Sequence, residues 1–182
     1  MISEFSARAK SKNNNAKITF FTLLALCVGV VALYLFTDRY RGLVGLGALA
    51  LITAAVFIYT RYISSEYFYD ITFDYNNTPV FVVRQRTGKK DTTLCRMDLY
   101  AITDVVRQDK KERAEHKTKD GYLKYNYTPT LFPSETYLVT VFSRYEKAEI
   151  RIEATEEFAN LLLTYAAEAK ELRTLAEAEE EY

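Results

Sequence analysis

Two apolar runs in tandem, Ile18–Phe36 and Leu43–Tyr59, constrain this chain more than any other feature. The first has 19 residues without a charge and the second has 17. At about 1.5 Å per residue the first reaches roughly 28 Å, against a bilayer hydrocarbon core of about 30 Å. In lipid such runs satisfy their own backbone only as helices. The short link Thr37-Asp38-Arg39-Tyr40-Arg41-Gly42 makes the two helices antiparallel neighbours. Residues 18–62 therefore read as a transmembrane helical hairpin, with spans at about 18–36 and 43–60. Tyr34, Tyr40, Tyr59 and Tyr62 lie near the run ends, where aromatic rings favour the headgroup zone. Ala25 and Gly29 in the first run, and Ala50 and Ala54 in the second, repeat at four-residue spacing and are expected to form the packing face, with Gly42, Gly45 and Gly47 as further close-approach positions.

The flanks set the expected orientation. Arg8, Lys10, Lys12 and Lys17 precede the first run, while the link carries only Arg39 and Arg41. Cationic flanks stay on the cytoplasmic side, so both chain ends are expected in the cytoplasm, with two spans in the cell membrane. Residues 1–17 show no apolar period and read as a polar basic tail beside anionic headgroups. The first run is longer than the roughly 7–15-residue core of a signal peptide and is followed at once by another span, which argues against a cleaved leader.

From residue 65 the period changes to two. Tyr69, Ile71, Phe73 and Tyr75 alternate with Asp70, Thr72 and Asp74, the pattern of a half-buried strand. Further strands are predicted at Val80–Arg86, Thr92–Asp98, Ile102–Arg107, Gly121–Tyr127, Tyr137–Ser143 and Ala148–Glu153. Turns fall at Asn76–Pro79, Thr87–Lys90 and Arg144–Lys147. Gln108–Asp120 is nearly all charge and reads as a loop or an extended hairpin tip. Thr155 fits a helix N-cap, with Glu156 and Glu157 where the helix dipole favours acids. Phe158, Leu161, Leu162, Tyr165, Ala169, Leu172 and Leu175 or Ala176 then form one apolar stripe. Residues 177–182 read as an acidic tail. The expected fold class is an α+β membrane protein. Its hairpin is followed, over 65–176, by a seven-stranded antiparallel sandwich or partial barrel that one C-terminal amphipathic helix closes.

Certain residues carry a resemblance. They are Phe81-Val82-Val83 through Arg86-Thr87-Gly88-Lys89 to Leu94-Cys95-Arg96-Met97, then Ile102 and Val105, then Tyr125-Asn126-Tyr127 with Leu131-Phe132-Pro133, and finally the junction from Ile152 to Phe158. Together they resemble uncharacterised bacterial membrane proteins in which a two-helix transmembrane hairpin precedes a C-terminal cytoplasmic PH-like domain. The resemblance covers residues 65–175 and implies a fold. PH-like domains bind phosphoinositides in some cases and proteins in many others, so no binding residue is carried over.

The sequence points away from chemistry, and neither an enzyme activity nor a cofactor or metal is expected. His116, the one histidine, reads as a solvated loop residue without a partner at metal or catalytic spacing. Cys95 reads as a small strand hydrophobe, and Cys27 lies in a span, so the two make no disulfide framework. Thr87-Gly88-Lys89-Lys90 lacks the spacing of a phosphate loop. Residues 84–124 hold twelve Lys and Arg, but seven acids are interleaved, which argues against nucleic acid. Asn76-Asn77-Thr78 and Asn126-Tyr127-Thr128 read as turns rather than glycosylation sites.

The expected function is a membrane-anchored, non-enzymatic interaction module that binds a protein partner or its own copies, with no small-molecule substrate. One alternative is recognition of anionic lipid headgroups through Lys89, Lys90, Lys110, Lys111, Arg113, Lys117 and Lys119. Another is an accessory subunit of a membrane transport or envelope complex.

Overall fold

A computed structural model describes residues 2–9, 14–36, 40–143 and 147–180, with side chains of the last helix described to residue 175. Several expectations fall outside these residues. They are the flank charges Lys10, Lys12 and Arg39, the start of the expected turn at Arg144, and the end of the acidic tail. The chain divides into two compact units. One comprises Met1–Lys10, Glu66–Pro129 and Pro133–Tyr182, and the other Ser11–Ser65 with Thr130–Phe132.

The second unit is a helical hairpin. Helix α1 (Asn14–Phe36) and helix α2 (Arg41–Ile58) are the two apolar runs, and a single π turn, Tyr59–Ile63, prolongs α2. Both are long and apolar enough to cross a membrane. They pack along one another, with the Phe20 and Tyr59 rings 5.6 Å apart.

Of the expected packing positions only Gly45 lies on the packing face. In α1 the more covered residues are Ala16, Thr19, Phe20, Leu23, Cys27 and Val30, spaced three or four apart except for the adjacent Thr19 and Phe20. In α2 they are Val44, Gly45, Ala48, Leu51, Ala55 and Ile58. Such spacing is the seam of two helices wrapped along each other. Ala25, Gly29, Ala50 and Ala54 instead lie exposed on the outer faces. A Cβ on Gly29 would meet nothing within 4 Å, whereas one on Gly45 would sit 3.9 Å from the Tyr34 ring. The reason is plain: when every residue of a helix is apolar, polarity does not distinguish one face from another.

The first unit is built on two four-stranded sheets. Sheet A has the order β1-β2-β3-β4, with β1 Phe5–Arg8, β2 Ser65–Phe73, β3 Pro79–Thr87 and β4 Lys90–Asp98. Sheet B has the order β5-β7-β8-β6, with β5 Ile102–Gln108, β6 Leu123–Asn126, β7 Thr136–Phe142 and β8 Lys147–Ile152. All seven expected strands are present, and β1 is an eighth.

Strand β1 corrects the reading of residues 1–17 as a tail without a packed element. It pairs antiparallel with β2, Phe5 opposite Ile71 and Arg8 opposite Phe68, and the Ala9 N–H continues the ladder to the Tyr67 carbonyl at 3.0 Å. Phe5 faces inward, 5.9 Å from the Phe158 ring. Four residues with no β-branched side chain carry almost no strand signal. The pairing arises because β2 offers an open edge and Phe158 an apolar surface.

A second correction concerns sheet B, which is mixed. β6 runs parallel to β8, Leu123 opposite Ala148, and not antiparallel to its sequence neighbours. β5 runs in the same direction as β6 at the opposite edge of the sheet, so the connection between them is a crossover. The segment 109–122 supplies it, crossing the outer face of the sheet to reach the far edge. Within the segment lies a short helix, α3 (Lys110–Glu115), where a loop was expected. It is closed by a capping box: Asp109 accepts from the Glu112 N–H at 2.7 Å, and Glu112 accepts from the Asp109 N–H at 2.9 Å.

Turn chemistry follows the sequence. Gly88 has φ +63 at the first of the two residues between Thr87 and Lys90, the place where a two-residue hairpin of this kind requires glycine. Asp74 accepts from the Asn76 N–H at 2.6 Å, which lets Asn77 adopt φ 59. Asn126 accepts from the Thr128 N–H and hydroxyl, as an Asx turn does. Tyr75 departs from expectation: β2 ends at Phe73, and Tyr75 is 91% exposed.

The core lies between the sheets and under helix α4 (Glu156–Glu180). Sheet A contributes Tyr67, Tyr69, Ile71, Phe81 and Val83; sheet B contributes Ile102, Val139, Val141, Ile150 and Ile152. Thr155 caps α4 by accepting from the Phe158 N–H at 3.3 Å. Phe158, Leu162, Ala166 and Ala169 are buried, but Leu172 and Leu175 are exposed, so the helix leaves the core one to two turns earlier than its stripe suggested. Tyr69 joins the layers. Its hydroxyl donates to the Tyr127 carbonyl at 2.9 Å and accepts from the Glu153 N–H at 3.1 Å. Burial drives its ionisation far above the ordinary tyrosine range, so the hydroxyl stays neutral.

Two outcomes are expected. Tyr69→Phe leaves a half-buried carbonyl and a half-buried N–H without their partner, and thermal unfolding followed by circular dichroism should register a loss of about 1–3 kcal/mol. In the hairpin, Ala55→Leu should overpack the seam and cost about 1–3 kcal/mol, whereas Ala54→Leu, one residue away and facing outward, should be near neutral. Equal effects of the two would show that the seam is misassigned.

Candidate functional site

The outer face of sheet A gathers side chains that sequence order scatters. In β2 the odd residues Tyr67, Tyr69 and Ile71 face the core, so Glu66, Phe68, Asp70 and Thr72 face outward. β1 adds Ser6 and Arg8 in register, and β3 adds Arg84 and Arg86. A bulge between Val83 and Arg84 shifts the pairing so that Arg86 stands opposite Asp91.

The centre of this face is Asp70, which is 6% exposed. Its carboxylate accepts from the Ser6 hydroxyl and from Arg84 Nε. Arg84 also lies 3.8 Å from Asp91, which Arg86 grips with two hydrogen bonds of 2.6 and 2.9 Å. The guanidinium groups of Arg84 and Arg86 stand 5.8 and 4.8 Å from the centre of the Phe68 ring. Arg8 pairs with Glu66, Arg96 with Asp74, and Thr72 donates to Glu4 at 2.9 Å. The exposed pairs contribute at most about 1 kcal/mol each. The Asp70 pair differs, because removing Arg84 would leave a buried carboxylate uncompensated.

A cleft of about 400 Å³ opens here, lined by Glu4, Phe5, Ser6, Asp70, Ile71, Thr72, Val82 and Arg84. Asp70 and Arg84 neutralise each other at its centre and Glu4 adds a second carboxylate at its edge, beside an apolar wall. None of its side chains stands out in sequence as a site, since β1 and β3 meet β2 only through the sheet.

The cations singled out from the sequence divide between two places. Lys89 and Lys90 form the tip of the β3–β4 hairpin on sheet A, whereas Lys110, Lys111, Arg113, Lys117 and Lys119 lie in the crossover on sheet B. Lys89, Lys90, Lys110, Lys111, Lys117 and Lys119 are exposed. Arg113 is not a surface cation: its guanidinium donates to the Pro133 carbonyl at 2.8 Å, and its other terminal nitrogen is buried. The Lys119 ammonium sits 5.8 Å from the Tyr122 ring, and its backbone N–H reaches Glu149 at 3.3 Å.

His116 is likewise not a solvated residue. Its Nε2 lies 2.8 Å from a carboxylate oxygen of Glu149, and its side chain is 20% exposed against 1% for Glu149. Burial would raise the Glu149 carboxyl, but the His116 hydrogen bond and the Lys119 N–H outweigh it and hold the group below its ordinary value. Cys95 lies partly buried against the core, as a strand hydrophobe does. Among the described residues no three His, Cys, Asp or Glu side chains form a metal-binding group.

No family model matches the chain, and neither a curated protein nor a solved structure is detectably similar to it.

The Glu149 pair predicts a pH dependence. A carboxyl whose folded value is depressed adds stability that is complete above its ordinary value and disappears as pH falls through the folded one. The melting temperature should therefore fall as pH drops below about 4.5, the ordinary glutamate value. Glu149→Gln should lower the plateau and flatten the acid limb. An unchanged limb in that variant would assign it to other carboxylates.

Proposed function

We propose that this chain is an integral membrane protein whose β domain is a PH-like, non-enzymatic interaction module that binds a protein partner in the cleft on sheet A. The observation that carries the membrane part is the outer surface of the hairpin. Ile18, Phe21, Val28 and Leu35 of α1, and Leu43, Leu46, Leu49 and Val56 of α2, are all exposed, and neither helix carries a charge between Ile18 and Phe36 or between Leu43 and Ile58. Water solvates such a surface poorly, while lipid solvates it well.

The β1–β2 pairing supports an even number of crossings. Residues before α1 and after α2 share one sheet, so both flanks belong on one side of any bilayer the hairpin crosses. The flanking cations favour the cytoplasmic side. Seven strands in two sheets followed by one helix support the PH-like reading, with β1 and the parallel β6 as additions to that pattern.

The partner reading rests on the cleft, which presents a paired charge, a hydroxyl and an apolar wall beside one another. This combination suits the polar backbone and alternating side chains of an extended peptide. Recognition of anionic headgroups is less well supported, because its seven cations are divided between two sheets and Arg113 is turned inward.

The test combines extraction and cross-linking in native membranes. Alkaline carbonate should leave the full chain in the membrane pellet; release into the supernatant would end the membrane reading. A photo-cross-linking residue at Thr72 or Val82 should give a discrete adduct that disappears with Arg84→Glu, while a probe at Lys124 should give none. The same adducts with and without Arg84 would refute the cleft as the binding surface.

A further inference from the structure

The covered face of sheet B holds more buried cationic donors than acceptors. Register places Gln108, Thr136, Leu138, Thr140, Glu149 and Arg151 on this one face, and all six are buried. The crossover segment 109–122 lies over it, bringing Arg113, His116 and the Lys119 N–H. Glu149 is the one carboxylate among the six, and His116 and the Lys119 N–H already engage it.

Among the described residues the two guanidinium groups have only neutral acceptors. Arg151, 8% exposed, spans β7 to donate from one terminal nitrogen to the Gln108 side-chain carbonyl at 3.3 Å. Thr136 lies directly opposite Gln108, beneath that span. Arg113 donates to the carbonyl of Pro133, three residues before Thr136. Arg151 Nε, Arg113 Nη1 and the Thr136 hydroxyl are buried and meet no acceptor among the described residues. The two arginines also repel one another: burial first, and Arg113 second, push Arg151 below the usual arginine range, while Glu149 offsets this only in part.

A water molecule can accept from these donors but brings no charge. Two like charges held against neutral acceptors call for an anion, and guanidinium forks match tetrahedral oxyanions especially well. We propose that Arg113, Arg151 and Thr136 together hold an oxyanion of the phosphate type, either free phosphate or the phosphoryl group of a larger ligand, on the covered face of sheet B. The site is separate from the cleft on sheet A and does not depend on the partner reading. Arg113, half-buried on α3, forms its rim.

The experiment uses the full chain in phosphatidylcholine nanodiscs, with labelled inorganic phosphate in equilibrium dialysis and chloride holding ionic strength constant. Saturable binding of one phosphate per chain is expected, together with a phosphate-dependent rise in melting temperature. Arg113→Gln should weaken binding about tenfold or more and abolish the rise, Arg113→Lys should retain part of it, and Thr136→Val should weaken it with little change in shape. Discs containing phosphatidic acid distinguish the sources. Displacement of the label by that lipid assigns the site to a headgroup, and retention assigns it to a free oxyanion. The proposal is overturned if phosphate does not bind up to about 10 mM, or if Arg113→Gln and Thr136→Val, each folded by circular dichroism, bind it as tightly as the parent.

Discussion

The β domain depends on a single buried contact set, the meeting of Tyr69 and Phe158. The Phe158 ring lies within 5.9–6.3 Å of Phe5, Tyr69 and Phe81, one ring from each of three adjacent strands of sheet A. The Tyr69 hydroxyl passes beyond this apolar cluster to bond the chain just past the ends of two neighbouring strands of sheet B, at Tyr127 after β6 and Glu153 after β8. One side chain thus fills the core while its polar end fixes the junction where β8 gives way to α4. Burying that hydroxyl without its partners would cost about 1–3 kcal/mol and offset a large part of what the ring contributes by packing. The two sheets and the helix are therefore not independent layers.

The crossover between β5 and β6 is the other organising feature, and it works in the opposite sense. A parallel strand pair obliges the chain to travel across a sheet face, and here the traveller is almost wholly charged. An apolar crossover would have created a second hydrophobic layer. This one instead makes a buried polar layer, in which His116 and the Lys119 N–H answer Glu149, Arg151 bonds Gln108, and Arg113 reaches the Pro133 carbonyl. The same topological choice explains why a segment that looks like a solvated loop contains residues with little access to water.

How much was legible depended on whether the signal was local. Strands with strict alternation, the Thr155 cap and the Gly88 turn were readable because the physics that sets them acts within a few residues. The capping box at Asp109 and Glu112 was local too, yet no apolar face followed it to mark a helix. Strand β1 and the cleft were not readable, since Ser6, Asp70 and Arg84 meet only through register between distant segments. The hairpin seam failed for a different reason. Ala25 and Gly29 obey a small-residue rule as well as Gly45 and Ala48 do, and in a uniformly apolar helix the rule does not choose between faces. Arg113 and His116 were misread because burial of a charged segment requires a polar surface beneath it, which only the folded sheet provides.

The pairing of β1 with β2 changes what the helical hairpin is. It is less an anchor attached to the front of a domain than an insertion within one, since the domain's first strand comes before it and the remainder after it. The first strand therefore leaves the ribosome long before its neighbour exists, and it must wait, unpaired, while both helices and their link are made. Sheet A is complete only once the chain that follows the hairpin has come back to the strand that precedes it. A chain cut in the link between the helices would still be one folded object, held together by β1 in its sheet and by the seam of α1 against α2.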